Sequence, residues 1–163
     1  MCLCINTSRG FLYSGLLRRR LIRLHGDYEL DDAQERLDFE RVHGWLTTTY
    51  WSPGIERETV ERGAQHSALA VGVYHQGTQV GFLRVVSDTT RFAWVCDVFV
   101  EEAHRGKGVA KAMLRFAMEH PDLREVKRWV LATRDAHEVY RSVGFQELAE
   151  PHRWMQYRPE PAP

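Results

Sequence analysis

The chain has 163 residues and a mass of 19.0 kDa, enough for one domain with a full core and too short for two ordinary ones. Hydrophobic residues make up 44% and charged residues 27%, the mixture of a globular protein and not of an acidic disordered chain. Lys+Arg and Asp+Glu number 22 each, so the basic excess of a nucleic-acid-binding domain is missing.

The balance is uneven along the chain. Residues 1–26 carry Arg9, Arg18, Arg19, Arg20 and Arg23 and no acid, which leaves the rest with 17 basic and 22 acidic groups. An Arg-, Ser- and Leu-rich head without acids fits an organelle-targeting peptide, a disordered tail, or a start placed upstream of the true one. Within it Leu16, Leu17, Leu21, Ile22 and Leu24 can line one side of a short helix. The expected division is therefore a disordered basic extension over 1–26, a folded domain over 27–158, and a proline-rich tail over 159–163. Cys2 and Cys4 lack further ligands at metal spacing, and Cys96 sits in an apolar run, so no metal is expected. Three cysteines without a framework point to a reducing, cytoplasmic setting, with import into an organelle if the head is a targeting segment. The uncharged stretch 63–83 is interrupted by histidines and glutamines and is not a membrane span.

Asp38 is placed to cap a helix with the apolar stripe Val42, Trp45 and Leu46, broken by Tyr50-Trp51-Ser52-Pro53-Gly54. A second, charged helix is predicted over 55–65. Residues 67–74 and 79–86 read as strands of a hairpin turning at Gln76-Gly77-Thr78. After the loop 87–90, Phe92 to Val100 is a long strand of bulky residues. Polar residues 101–107 then lead into a helix over 108–119, whose apolar face is Val109, Ala110, Met113, Leu114 and Ala117 and which Pro121 stops. A strand is predicted over 128–132. Asp135 and Glu138 form a capping box for a short helix that ends at Gly144. Residues 145–148 and 153–157 read as final strands.

The strand, the glycines Gly106 and Gly108, and the helix after them form the most informative segment. Helix N-termini present backbone N–H groups without partners and a dipole that favours anions. Glycine permits close approach, and Arg105 and Lys107 add positive charge, so the segment has the chemistry of a phosphate site; a loop that simply needs glycine for its turn is the alternative. Neither the P-loop pattern nor the dinucleotide Gly-x-Gly-x-x-Gly is present.

Arg105-x-x-Gly108-x-Ala110 resembles the Arg/Gln-x-x-Gly-x-Gly/Ala signature with which the GNAT superfamily of N-acetyltransferases binds the pyrophosphate of acetyl-CoA. Tyr140-Arg-Ser-Val-Gly144-Phe145 is similar to that family's Tyr-x-x-x-Gly-Phe, and the likeness spans about 28–157. The run from Ala132 to Tyr140 looks like that of an uncharacterised bacterial subgroup. Glu102 stands where many members have Pro, and Thr133 where many have Asn. The resemblance implies an α/β (α+β) domain with a mixed, mainly antiparallel sheet, a splayed central strand and helices on both faces. It implies acetyl-CoA as co-substrate, contacting Val98, Phe99, Val100, Arg105, Gly106, Lys107, Gly108, Val109, Ala110, Thr133, His137 and Tyr140.

Acetyl transfer to an amine needs a neutral amine, donors for the oxyanion and a proton for the thiolate. Tyr140 is the candidate general acid. Asp97, the only charge in its strand, is a candidate base or a structural Asp; His137, Glu101, Glu102 and a water chain are further options. Trp45, Tyr50 and Trp51 can form an aromatic acceptor pocket, serve as core or make a dimer contact, and Arg84 can hold a substrate carboxylate or pair with Asp97. The expected reaction is N-acetylation of a small-molecule primary amine by direct attack on the thioester. A protein or peptide acetyltransferase and a CoA-binding regulatory module are the alternatives. No nucleic acid or membrane partner is expected, a monomer and a homodimer both remain open, and residues 1–26 are expected to be dispensable for CoA binding.

Overall fold

The computed structural model describes residues 20–159. Its centre is a six-stranded sheet in which neighbours in sequence are neighbours in space: β1 (Ile22–His25), β2 (Tyr28–Asp31), β3 (Leu69–His75), β4 (Thr78–Ser87), β5 (Phe92–Val100) and β6 (Arg128–Val130). All pairs are antiparallel except β5–β6. Helices α1 (Phe39–Leu46) and α2 (Arg57–Gln65) lie between β2 and β3, α3 (Val109–Met118) crosses from β5 to β6, and α4 (His137–Arg141) follows β6. Among these residues no helix is long and apolar enough to cross a membrane.

Alternation along the strands builds two cores. Leu69, Val71 and Val73 of β3 face α3, whose Val109, Met113, Leu114, Phe116 and Ala117 are buried against them. Ala70 and Phe82 face the other way and pack under Val42, Leu46, Val60 and Ala64 of α1 and α2. Asp38 caps α1 as expected, its carboxylate accepting from the Arg41 N–H at 3.1 Å. The β3–β4 turn has positive φ at both Gln76 (49°) and Gly77 (78°), the type I′ geometry that matches strand twist.

Two irregularities shape β5. Arg84 pairs with Cys96 and Phe82 with Phe99, so Asp97 and Val98 together oppose the single residue Leu83. Asp97 sits at φ +55° in this bulge, a conformation that Asp tolerates better than most residues. On its other side β5 pairs with β6 only from Phe92 to Trp94, so residues 95–100 run on without a β6 neighbour and the sheet splays there.

Four expectations are corrected. Residues 22–25 belong to the sheet: Ile22 and Leu24 lie on a strand, and β1 is joined to β2 by a tight turn with Gly26 at φ +56°. Arg20 pairs with the fully buried Asp31, which also accepts from Arg36, and Arg23 bonds Glu119 at 2.7 Å. These contacts offset the positive charge that made the segment look like a leader, so the division at residue 26 cuts through the folded domain. Residues 145–148 and 153–157 are not strands. A short 3₁₀ turn at Pro151–Arg153 interrupts them, and Trp154 is held by the Arg128 guanidinium 4.7 Å over its ring. Asp135 does not cap α4; Thr133 Oγ1 accepts from the Ala136 N–H at 3.1 Å instead, and Asp135 pairs with Arg134 at 3.3 Å. Cys2, Cys4, the arginines before Arg20, Leu16 and Leu17, and the tail after Pro159 lie outside the described residues.

Candidate active site

A cleft of about 1150 Å³ opens at the splay. Its floor is 94–100 of β5, one wall is His104, Arg105 and Gly106 with Val109 and Ala110 of the helix start, and the other is 132–136 with Val139 and Tyr140. Residues 48–53, after α1, line its mouth.

Along β5 the backbone alternates. The Phe99 carbonyl faces Gly81 of β4, and the Glu101 N–H donates to the Val80 carbonyl at 2.9 Å. The intervening Val100 and, before Phe99, Val98 therefore turn their peptide groups toward the cleft. The Val100 carbonyl already accepts from Arg105 Nε at 3.0 Å, which fixes that side chain across the strand end with its guanidinium 5.7 Å from the Phe99 ring centroid.

Gly106 (φ +75°) and Gly108 (φ +78°) hold the left-handed conformations that the two glycines had suggested, and Gly108 is the residue from which α3 starts. No side chain caps α3 and no acid lies in its first turn, so its N–H groups and positive dipole end are left for an anion. This is a fitting cradle for the pyrophosphate of CoA.

Tyr140 lines the cleft from α4, and burial pushes its phenol up to about 12. The Tyr-x-x-x-Gly-Phe spacing has a structural meaning. Gly144, at φ +103°, ends the helical turn so that the Phe145 N–H reaches back to the Tyr140 carbonyl at 3.1 Å, and the two rings meet edge to face at 6.0 Å.

Arg84 and Asp97 both line the cleft and form an ion pair, with side-chain exposures of 23% and 9%. Burial alone would lower the Arg84 pKa, yet the Asp97 carboxylate beside it holds it above its ordinary value. Cys96 lines the same floor, and burial pushes its thiol up to about 12. Tyr50 and Trp51 lie at the mouth; Tyr50 Oη accepts from the Arg134 N–H at 2.8 Å, and the Arg134 guanidinium lies 3.9 Å over its ring.

Some anticipated residues are elsewhere. Trp45 does not line the cleft: it stacks on Phe99 at 5.1 Å and donates from Nε1 to Glu101 at 3.2 Å, so it props the strand from the α1 side. His137 is exposed at a second cavity of about 750 Å³ behind β6, which Thr133 and Tyr140 also border. Glu101 accepts from Arg41 at 2.6 Å. Residue-type reasoning missed Trp94, His104 and His25. The first two line the cleft, and His25 reaches the phosphate loop from β1. Gly26-Asp27 between two short apolar-alternating runs was the available signal for that hairpin.

Residues 29–145 match the model of the acetyltransferase (GNAT) family, well over half of the chain. The chain belongs to this family. A Xanthomonas campestris protein assigned to the same family is 38% identical, with a TM-score of 0.77 over 80% of this chain and 92% of that one. At 18% identity, a Staphylococcus aureus probable acetyltransferase shares the fold with a TM-score of 0.66 over 81% and 98%. A predicted acetyltransferase of Clostridium acetobutylicum, determined with acetyl-CoA, shares it at 15% identity and TM-score 0.60 over 85% and 96%. No curated protein matches significantly. The GNAT fold and its acetyl-CoA-dependent acyl transfer are thereby those of this chain.

Proposed function

We propose that this GNAT enzyme acetylates a primary amine of a small molecule by direct attack on the acetyl-CoA thioester. The observation that carries the reading is the contact made across the cleft mouth. The 48–53 segment and the 132–136 segment meet through the Tyr50–Arg134 contacts, so the acceptor enters a bounded pocket with aromatic and hydroxyl walls. A bounded pocket suits a small amine, and a protein tail would call for an open groove.

The residues divide the work as follows. The 106–110 backbone holds the pyrophosphate, with Lys107 adding charge at its edge. The Val98 and Val100 peptide groups pair with the pantetheine arm, and an N–H on this edge polarises the thioester carbonyl. Tyr140 keeps its proton at neutral pH and gives it to the leaving thiolate. Asp97, tied to Arg84, holds the bulge that aims these peptide groups, and does not serve as base. Glu101 is likewise occupied by Arg41 and Trp45, and Glu102 and His137 do not line the cleft, so the acceptor loses its proton to water.

The test is to incubate the protein with acetyl-CoA and a panel of aliphatic and aromatic amines beside lysine peptides, and to follow free thiol. Turnover with free amines is expected. Turnover confined to peptides would make this a protein acetyltransferase, and CoA binding without turnover would make it a regulatory module.

A further inference from the structure

The β1–β2 hairpin touches the phosphate loop at both of its ends. His25, the last residue of β1, lies with Nε2 at 3.1 Å from the Lys107 carbonyl, between the two left-handed glycines. A carbonyl only accepts, so Nε2 carries the proton and donates. The imidazole is packed close as well as bonded: a Cβ added to Gly108 would lie 3.2 Å from Nε2. Tyr28, the first residue of β2, is hydrogen-bonded through its hydroxyl to His104 Nδ1 at 3.0 Å, on the other side of the loop. His75 of β3 completes this second contact, its ring 5.1 Å from Tyr28 and 5.0 Å from His104. The two-residue turn at Gly26-Asp27 sets His25 opposite Tyr28, so one hairpin end delivers both side chains.

We infer that this hairpin is a clamp that pre-sets the acetyl-CoA phosphate loop, with His25 and Tyr28 as positioning residues. A loop with two glycines at positive φ has much freedom to lose when a ligand orders it. Fixing residue 104 and residue 107 in the free protein removes part of that cost from binding. His25 and Tyr28 both lie just before residues 29–145, the span of the family match, so both halves of the clamp come from the segment that leads into that span.

The inference rests on the acetyl-CoA reading of the loop, and calorimetric titration with CoA tests both separately. The proteins are wild type, His25→Ala, His25→Gln and Tyr28→Phe, each with its thermal unfolding midpoint. One lost hydrogen bond corresponds to a Kd about three- to tenfold weaker for His25→Ala and for Tyr28→Phe. Gln keeps an N–H donor at nearly the reach of Nε2, so His25→Gln should return most of the loss. If wild type binds CoA and His25→Ala and Tyr28→Phe bind it equally well, the clamp is refuted and the cofactor reading stands. If Gln fails to rescue, the imidazole acts by packing and the positioning role is refuted. If wild type binds no CoA, the reading of the loop itself falls.

Discussion

Replacing Asp97 by Asn isolates the charge at the centre of the cleft floor. Asn keeps the size of the side chain and its tolerance for φ near +55°, so the bulge can persist while the Arg84 guanidinium loses its counter-ion. Removing one partner of a fully buried pair costs about 3–5 kcal/mol, because the other charge stays behind uncompensated. Arg84 keeps 23% of its side-chain exposure and an Nη1 contact to Ser67 at 3.4 Å, so solvent and the hydroxyl relieve part of this. The expected loss is about 2–3 kcal/mol. At about 2–4 °C per kcal/mol for a domain of this size, the unfolding midpoint should fall by roughly 5–10 °C. Arg84→Met should destabilise comparably, since it strands the carboxylate. The double variant should lie above the sum of the two by about 1–3 kcal/mol, the coupling of the pair. Circular dichroism melts and urea titrations of the four proteins give this cycle. A coupling near zero would refute the argument that the pair fixes the bulge. A pH–rate profile of the Asn variant adds a second check: a lost acidic limb would restore Asp97 as general base.

Three further outcomes are expected. Tyr140→Phe should lower kcat by about 10²-fold or more while leaving CoA affinity within about threefold, and unchanged turnover would remove Tyr140 from the proton transfer. Asp88 accepts from the backbone N–H groups of Phe92, Thr90 and Arg91, which holds its carboxyl at about 2. A depressed folded pKa stabilises above the unfolded value of roughly 4 and is lost as pH falls toward 2, so the melting difference between wild type and Asp88→Ala should vanish across that window. In a protein with Cys2 and Cys4 replaced by Ser, Cys96 should alkylate about 10³-fold more slowly at pH 7.5 than a free cysteine, because its thiol is raised to about 12; mass spectrometry after iodoacetamide reads this directly.

What the sequence disclosed and what it hid follow from the range of the interactions involved. The β5–loop–α3 unit was legible because its signals are contiguous: a bulky strand, two glycines and an apolar-faced helix, all from 92 to 118. The β3–β4 hairpin was legible for the same reason. The β1 strand was not, because an Arg-rich segment without acids has the composition of a leader, and the acids that answer it, Asp31 and Glu119, are identified only by folding. His25 shows the effect most plainly, as its partner Lys107 is 82 residues away. The Asp97 bulge depends on strand register, which no local pattern specifies, although Arg84 had been a candidate partner for it. Trp45 is the instructive case of two open readings, pocket and core. Its spacing with Val42 and Leu46 placed it on the packed stripe of α1, aromatic composition suggested a pocket, and the periodicity is what the fold follows. The expected strands at 145–148 and 153–157 had suitable residues, yet the Pro151–Arg153 turn diverts the chain and no ladder forms. Side-chain pattern supplies a strand's faces, whereas a strand also needs an edge to pair with, and that edge is a property of the assembled sheet.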